Sequence, residues 1–162
     1  MFLLKNFNRP KVGVYILLAS FICFIGATIL AISQVYLIEF LKFNNFSLFS
    51  LVFDYWSKGE GVAPSLYQLT ISGPILETML LLVLLYSLTI FVKNRIAICC
   101  VSAVIWGVAH ALINSPVNGL PSTWIFFILS VSVFDWEEDG SKQYFAPLGI
   151  HSLSNAMVYF IL

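Results

Sequence analysis

The sequence predicts an all-α fold: a polytopic membrane helix bundle of about five transmembrane helices plus one interfacial helix. Two observations carry this. Of 162 residues, 60% are hydrophobic and 10% charged, with a mean hydropathy of +0.94; soluble domains run at about 45–50% apolar and about 25% charged. The few charges are also segregated, leaving long stretches that hold one charge or none. Residues 1–162 are read as a single membrane domain at this length. Net charge is zero, which removes the electrostatic case for a nucleic-acid partner.

A spanning helix needs roughly 20 mostly apolar residues. Val12 to Ile38 has no charged residue and forms the first span. Lys5, Arg9 and Lys11 precede it, as in a signal peptide, but the apolar run exceeds the usual core of about 7–15 residues, so it is expected to be retained. Gly61 to Val92 carries one charge, Glu77, and contains the second span. Ile96 to Phe134 has no Asp, Glu, Lys or Arg, but "NSPVNGLP" (Asn114–Pro121) interrupts it. Clustered Pro, Gly, Asn and Ser break helices, so two spans are expected there. The last runs from about Phe145 to Leu162. The aromatic, mildly charged stretch Phe43–Gly61 reads as an interfacial helix. Cys23, Cys99 and Cys100 lie in apolar runs and read as buried free thiols.

Orientation follows Lys and Arg. The N-terminal tail and the short "KNR" turn (Lys93–Arg95) place the N-terminus and that turn on the cytoplasmic side. The acidic "DWEEDGSK" (Asp135–Lys142) then falls on the same side.

Ionisable groups deep in a bilayer cost about 2.5–3.5 kcal/mol on insertion scales. Three lie inside the predicted spans: Glu77, His110 and His151, the histidines being the chain's only two. None has a basic residue nearby in sequence, so gathering them in one polar pocket is the least costly arrangement. Trp106 and His110 are four apart, as are His151 and Asn155, so each pair shares a helix face. Pro74 suits the first turn of the helix that carries Glu77. A carboxylate, two imidazoles and a carboxamide in a water-excluded pocket point to hydrolysis: the glutamate takes a proton from water, the histidines hold that water directly or through a metal, and Asn155 donates to an oxyanion. Each residue alone also has a packing explanation, since polar side chains hydrogen-bond neighbouring helices in membranes. There is no HExxH zinc-protease motif and no GxSxG elbow.

The order Glu, aromatic-xxx-His, His-xxx-Asn resembles the CPBP family, the CAAX proteases and bacteriocin-processing enzymes also called the Abi or type II CAAX prenyl endopeptidase family. "PILETMLLL" matches the first motif through Pro74 and Glu77, "WGVAH" the second with Trp106 and His110, and "APLGIHSLSN" the third with His151 and Asn155. The protease-like core covers about residues 66–162. The resemblance implies an intramembrane endopeptidase acting on a membrane-associated peptide or protein. Glu77 and His110 would activate water, His151 and Asn155 would bind the oxyanion, and Trp106 would belong to the substrate pocket. It is compatible with a divalent metal such as zinc on Glu77, His110 and His151, and equally with a metal-free glutamate mechanism. The motif's second Glu is Thr78 here and its Arg is Leu82, which favours a rival reading: a catalytically degenerate immunity or partner-binding scaffold. With a span starting at Phe145, His151 lies about 9 Å from its inner end, some 10 Å from the depth of Glu77 and His110.

Overall fold

The computed structural model describes residues 11–43, 65–114 and 116–161. The interfacial helix expected over Phe43–Gly61 lies outside them except for Phe43. All regular secondary structure among the described residues is helical: α1 (Val12–Phe43), a π-helical stretch (Gln68–Ser72) leading into α2 (Gly73–Phe91), α3 (Arg95–Ile113), a 3-10 turn (Pro116–Asn118), α4 (Gly119–Asp135) and α5 (Gly140–Ile161). Among the described residues, three stretches are long and apolar enough to cross a membrane: Val12–Leu41, Gln68–Phe91 and Arg95–Ile113. Of the five expected spans, α4 is apolar but has 17 residues, about 25 Å at 1.5 Å per residue. The 22-residue α5 opens with the polar turn Gly140–Gln143.

The predicted break between the third and fourth spans is present. α3 ends at Ile113 and α4 starts at Gly119, with Pro121 in its first turn. Elsewhere boundaries differ. α1 continues past Ile38 to Phe43, and α5 starts five residues before Phe145. The reason for the early start is Asp139, whose carboxylate accepts the backbone N–H of Lys142 at 3.2 Å and the Ser141 hydroxyl at 2.7 Å. This is a helix N-cap, and the hydrogen bond from the Lys142 side chain holds the Asp139 carboxyl below the usual carboxylate range.

Packing is inverted relative to a soluble protein. On α1 the small residues Ala19, Ser20, Cys23 and Ala27 face inward, while Leu17, Leu18, Phe21, Ile25 and Ile29 face outward. Small residues let helix backbones approach closely, and an exposed apolar surface this extensive suits lipid. Central α4 packs against α1, α3 and α5, burying Phe126, Leu129 and Val133 almost completely. Two glycines make its close crossings. A Cβ on Gly107 of α3 would collide with Thr123 Oγ1 and lie 2.8 Å from the Gly119 carbonyl oxygen. A Cβ on Gly26 of α1 would meet the Trp124 indole, whose Nε1–H donates to the Ile22 carbonyl at 3.2 Å.

One end of the bundle gathers most of the charged groups among the described residues. Arg95 pairs with Glu137 at 2.7 Å, Lys142 with Asp139 at 2.6 Å, and the Tyr15 hydroxyl donates to Asp135 at 3.1 Å. Measured from this end, Glu77 and His110 lie about 21–22 Å deep and His151 about 16 Å deep. The early start of α5 therefore removes about half of the expected depth mismatch.

Candidate functional site

Every polar residue singled out within the spans reaches one cavity of about 370 Å³, lined by Glu77 from α2, His110 from α3 and His151 and Asn155 from α5. His110 Nε2 stands 3.7 Å from Glu77 Oε2, and His151 Nε2 stands 3.4 Å from the same oxygen. His151 is 3% exposed, so it faces neither lipid nor solvent.

The orientation of His110 is set by its own helix. Its Nδ1 lies 3.0 Å from the Trp106 carbonyl oxygen. A carbonyl can only accept, so Nδ1 carries a proton, and in the neutral tautomer this leaves Nε2 presenting a lone pair. That lone pair and Glu77 Oε2 are both acceptors facing each other. A donor with two hydrogens satisfies both at once, and water is the smallest such group. His151 is held differently: its Nδ1 is buried without a hydrogen-bond partner, leaving Nε2 as the ring nitrogen with polar company. Phe126 ties the two rings together. It stacks on Trp106 (centroids 4.4 Å apart, planes 6° apart), meets His151 edge-on at 5.4 Å and His110 at 5.3 Å.

Asn155 has a definite partner, the Leu69 carbonyl oxygen, to which its Nδ2 donates at 2.9 Å. The chain's covalent structure explains why that oxygen is open. In a π-helical stretch each carbonyl accepts from the residue five positions on, and the Gly73 N–H does donate to Gln68 O. Leu69 O would next take the N–H of residue 74, and Pro74 has none. Asn155 fills the gap from another helix. Gly73 is required at the end of this stretch, since a Cβ there would lie 2.7 Å from Gln68 O. One amide hydrogen of Asn155 is therefore engaged, and the other remains for the cavity.

Trp106, expected in the substrate pocket, is not part of the cavity lining. It packs on the core beside Phe126 and acts on the site through its carbonyl. Thr78, in place of the motif's second Glu, is fully buried, with a hydroxyl that has no partner. Leu82, in place of the Arg, packs on the apolar core. Sequence reasoning missed two contributors. Phe126 had no signal beyond being one of many aromatics in an apolar run. The first span supplies a whole wall through Ala27, Thr28 and Ala31, where only a run of small residues hinted at an interior face.

Glu77, His110 and His151 are donors of the kind zinc takes. Among the described residues, however, no group of three His, Cys, Asp or Glu side chains is drawn together as a metal-holding set. As placed, the three make an acid–base cluster.

Comparison of the chain with protein-family models, curated proteins and solved structures gives no match, so the chemistry rests on the geometry of the site itself.

Proposed function

We propose that the protein is an intramembrane endopeptidase that hydrolyses a peptide bond of a membrane-associated peptide or protein with water activated by Glu77. The observation that carries this reading is the approach of two imidazole Nε2 atoms to one carboxylate oxygen, 3.4 and 3.7 Å away, in a cavity walled by all the helices. Water sits between Glu77 Oε2 and the His110 Nε2 lone pair. Glu77 accepts one of its protons as the oxygen attacks the scissile carbonyl carbon. The oxyanion accepts hydrogen bonds from His151 Nε2–H and from the Asn155 hydrogen not engaged by Leu69. Glu77 then passes its proton to the departing amide nitrogen, and the C–N bond breaks. No step above depends on a metal. The pattern of Lys93, Arg95 and the basic N-terminal tail supports a cytoplasmic N-terminus.

A second reading has its own observation. Asn155 is hydrogen-bonded to Leu69, which is what a structural residue in a non-catalytic immunity or partner-binding scaffold would do. Incubating purified protein with a peptide library and reading products by mass spectrometry separates the two. Cleavage by the wild type that disappears in Glu77→Gln supports the enzyme. Identical product profiles for both proteins contradict it.

A further inference from the structure

We propose that the groove between α3 and α4, at the charged end of the bundle, binds one phospholipid whose headgroup carries a primary ammonium. The phosphate rests on Arg95, the ammonium on Glu137, and one acyl chain fills the groove. The cavity measures about 340 Å³ and is lined by Arg95, Ile96, Cys99, Phe127, Ile128, Val131 and Phe134. Arg95 is its only charged wall.

Depth favours a lipid. Arg95 opens a helix long and apolar enough to cross a membrane, and it follows another such helix by three residues. The turn between two spans sits at the headgroup level, so Arg95 does too. The groove runs along α4 from Phe134 at the mouth to Phe127, about 10 Å. That is two thirds of the roughly 15 Å hydrocarbon half-thickness of a bilayer. A single acyl chain entering at the headgroup follows this course.

Charge selects the headgroup. The Arg95 guanidinium lies 5.6 Å from the Phe134 ring centroid and 2.7 Å from Glu137 Oε1. The pair is accessible, with side chains 38% and 31% exposed. Lys142 at this end is held by Asp139 at 2.6 Å, and Glu137 stands 2.7 Å from the Arg95 guanidinium, so a purely anionic headgroup on Arg95 would meet the Glu137 carboxylate beside it. A zwitterion with phosphate and ammonium matches the Arg95–Glu137 pair charge for charge. A primary ammonium also donates hydrogen bonds to the carboxylate, which a quaternary one cannot.

The full chain is placed in nanodiscs of equal parts phosphatidylethanolamine, phosphatidylcholine and phosphatidylglycerol with matched acyl chains. Native mass spectrometry after release identifies the retained lipid. The expected result is several-fold enrichment of phosphatidylethanolamine over both others. Glu137→Gln should abolish its preference over phosphatidylcholine, and Val131→Trp, which fills the groove, should remove retention. Retention in the bulk ratio, or enrichment of phosphatidylglycerol, overturns the proposal. So does enrichment that survives Glu137→Gln, a surface change that keeps the test decisive if Val131→Trp fails to fold.

Discussion

Asn155 donates a hydrogen bond to the carbonyl oxygen of Leu69 at 2.9 Å, and Pro74 is the reason this oxygen needs a donor. Leu69 and Pro74, five residues apart, thus form one structural unit with Asn155, 86 residues from Leu69. An unsatisfied carbonyl within a bilayer is unfavourable, and interhelical hydrogen bonds in membranes contribute about 0.6 kcal/mol on average and up to about 1.7. Asn155→Ala should lower stability by about 1 kcal/mol on this ground alone. In a Pro74→Ala background residue 74 regains its N–H, so the same Asn155→Ala change should cost less. A double-mutant cycle from thermal denaturation measures the difference; strict additivity would mean that Pro74 and Asn155 are not coupled through Leu69.

The α3–α4 crossing depends on Gly107. An added methyl would collide with the Thr123 hydroxyl and sit 2.8 Å from the Gly119 carbonyl, and overpacking a tight interface costs about 1–3 kcal/mol. Gly107→Ala should lower Tm. Thr123→Ala in the same chain should recover part of the loss but not all, because the Gly119 backbone cannot retract. Full recovery would show that the backbone contact is not limiting.

Phe126 touches Trp106, His110 and His151 and is 1% exposed. Removing a buried aromatic ring costs about 3–5 kcal/mol. Phe126→Ala should therefore be the most destabilising of these variants in thermal unfolding. Phe126→Leu should retain the fold but lower kcat, because the two imidazoles lose their shared support. A Phe126→Leu variant with unchanged kcat would show that the ring merely fills space.

Much of this was legible before the fold. The cost of ionisable groups in lipid brings Glu77, His110 and His151 to one cavity, and four-residue spacing puts His151 and Asn155 on one face. What was not legible has identifiable physical causes. The start of α5 lies earlier than the sequence suggests because "DWEEDGSK" reads as a charged loop, whereas Asp139 caps the helix through Lys142 and Ser141. The partner of Asn155 was hidden because a π-helical stretch leaves no hydrophobic periodicity to read, although Pro74 removes a donor in any register. Trp106 shows that a side chain on the same helix face as a site residue can still point into the core.

Sidedness has a direct check. Lys93 lies between α2 and α3, and Asn118 between α3 and α4, so the 19 residues of α3 separate them. In a background with Cys23, Cys99 and Cys100 replaced by serine, Lys93→Cys should react with an impermeant maleimide from the cytoplasmic face. Asn118→Cys should react from the opposite face. Labelling of both from one side would mean that α3 does not cross.

The role of Glu77 is tested most directly by measuring peptide cleavage and thermal stability side by side for wild type and Glu77→Gln. The amide preserves shape but cannot take up the proton, and positioned acid–base groups contribute about 10²–10⁴-fold. A neutral side chain is also tolerated in a bilayer at least as well as a carboxylate. The expected result is loss of nearly all turnover with Tm unchanged or raised. Cleavage undiminished in Glu77→Gln, or a wild type that cleaves nothing while Glu77→Gln unfolds at lower temperature, would contradict the catalytic reading.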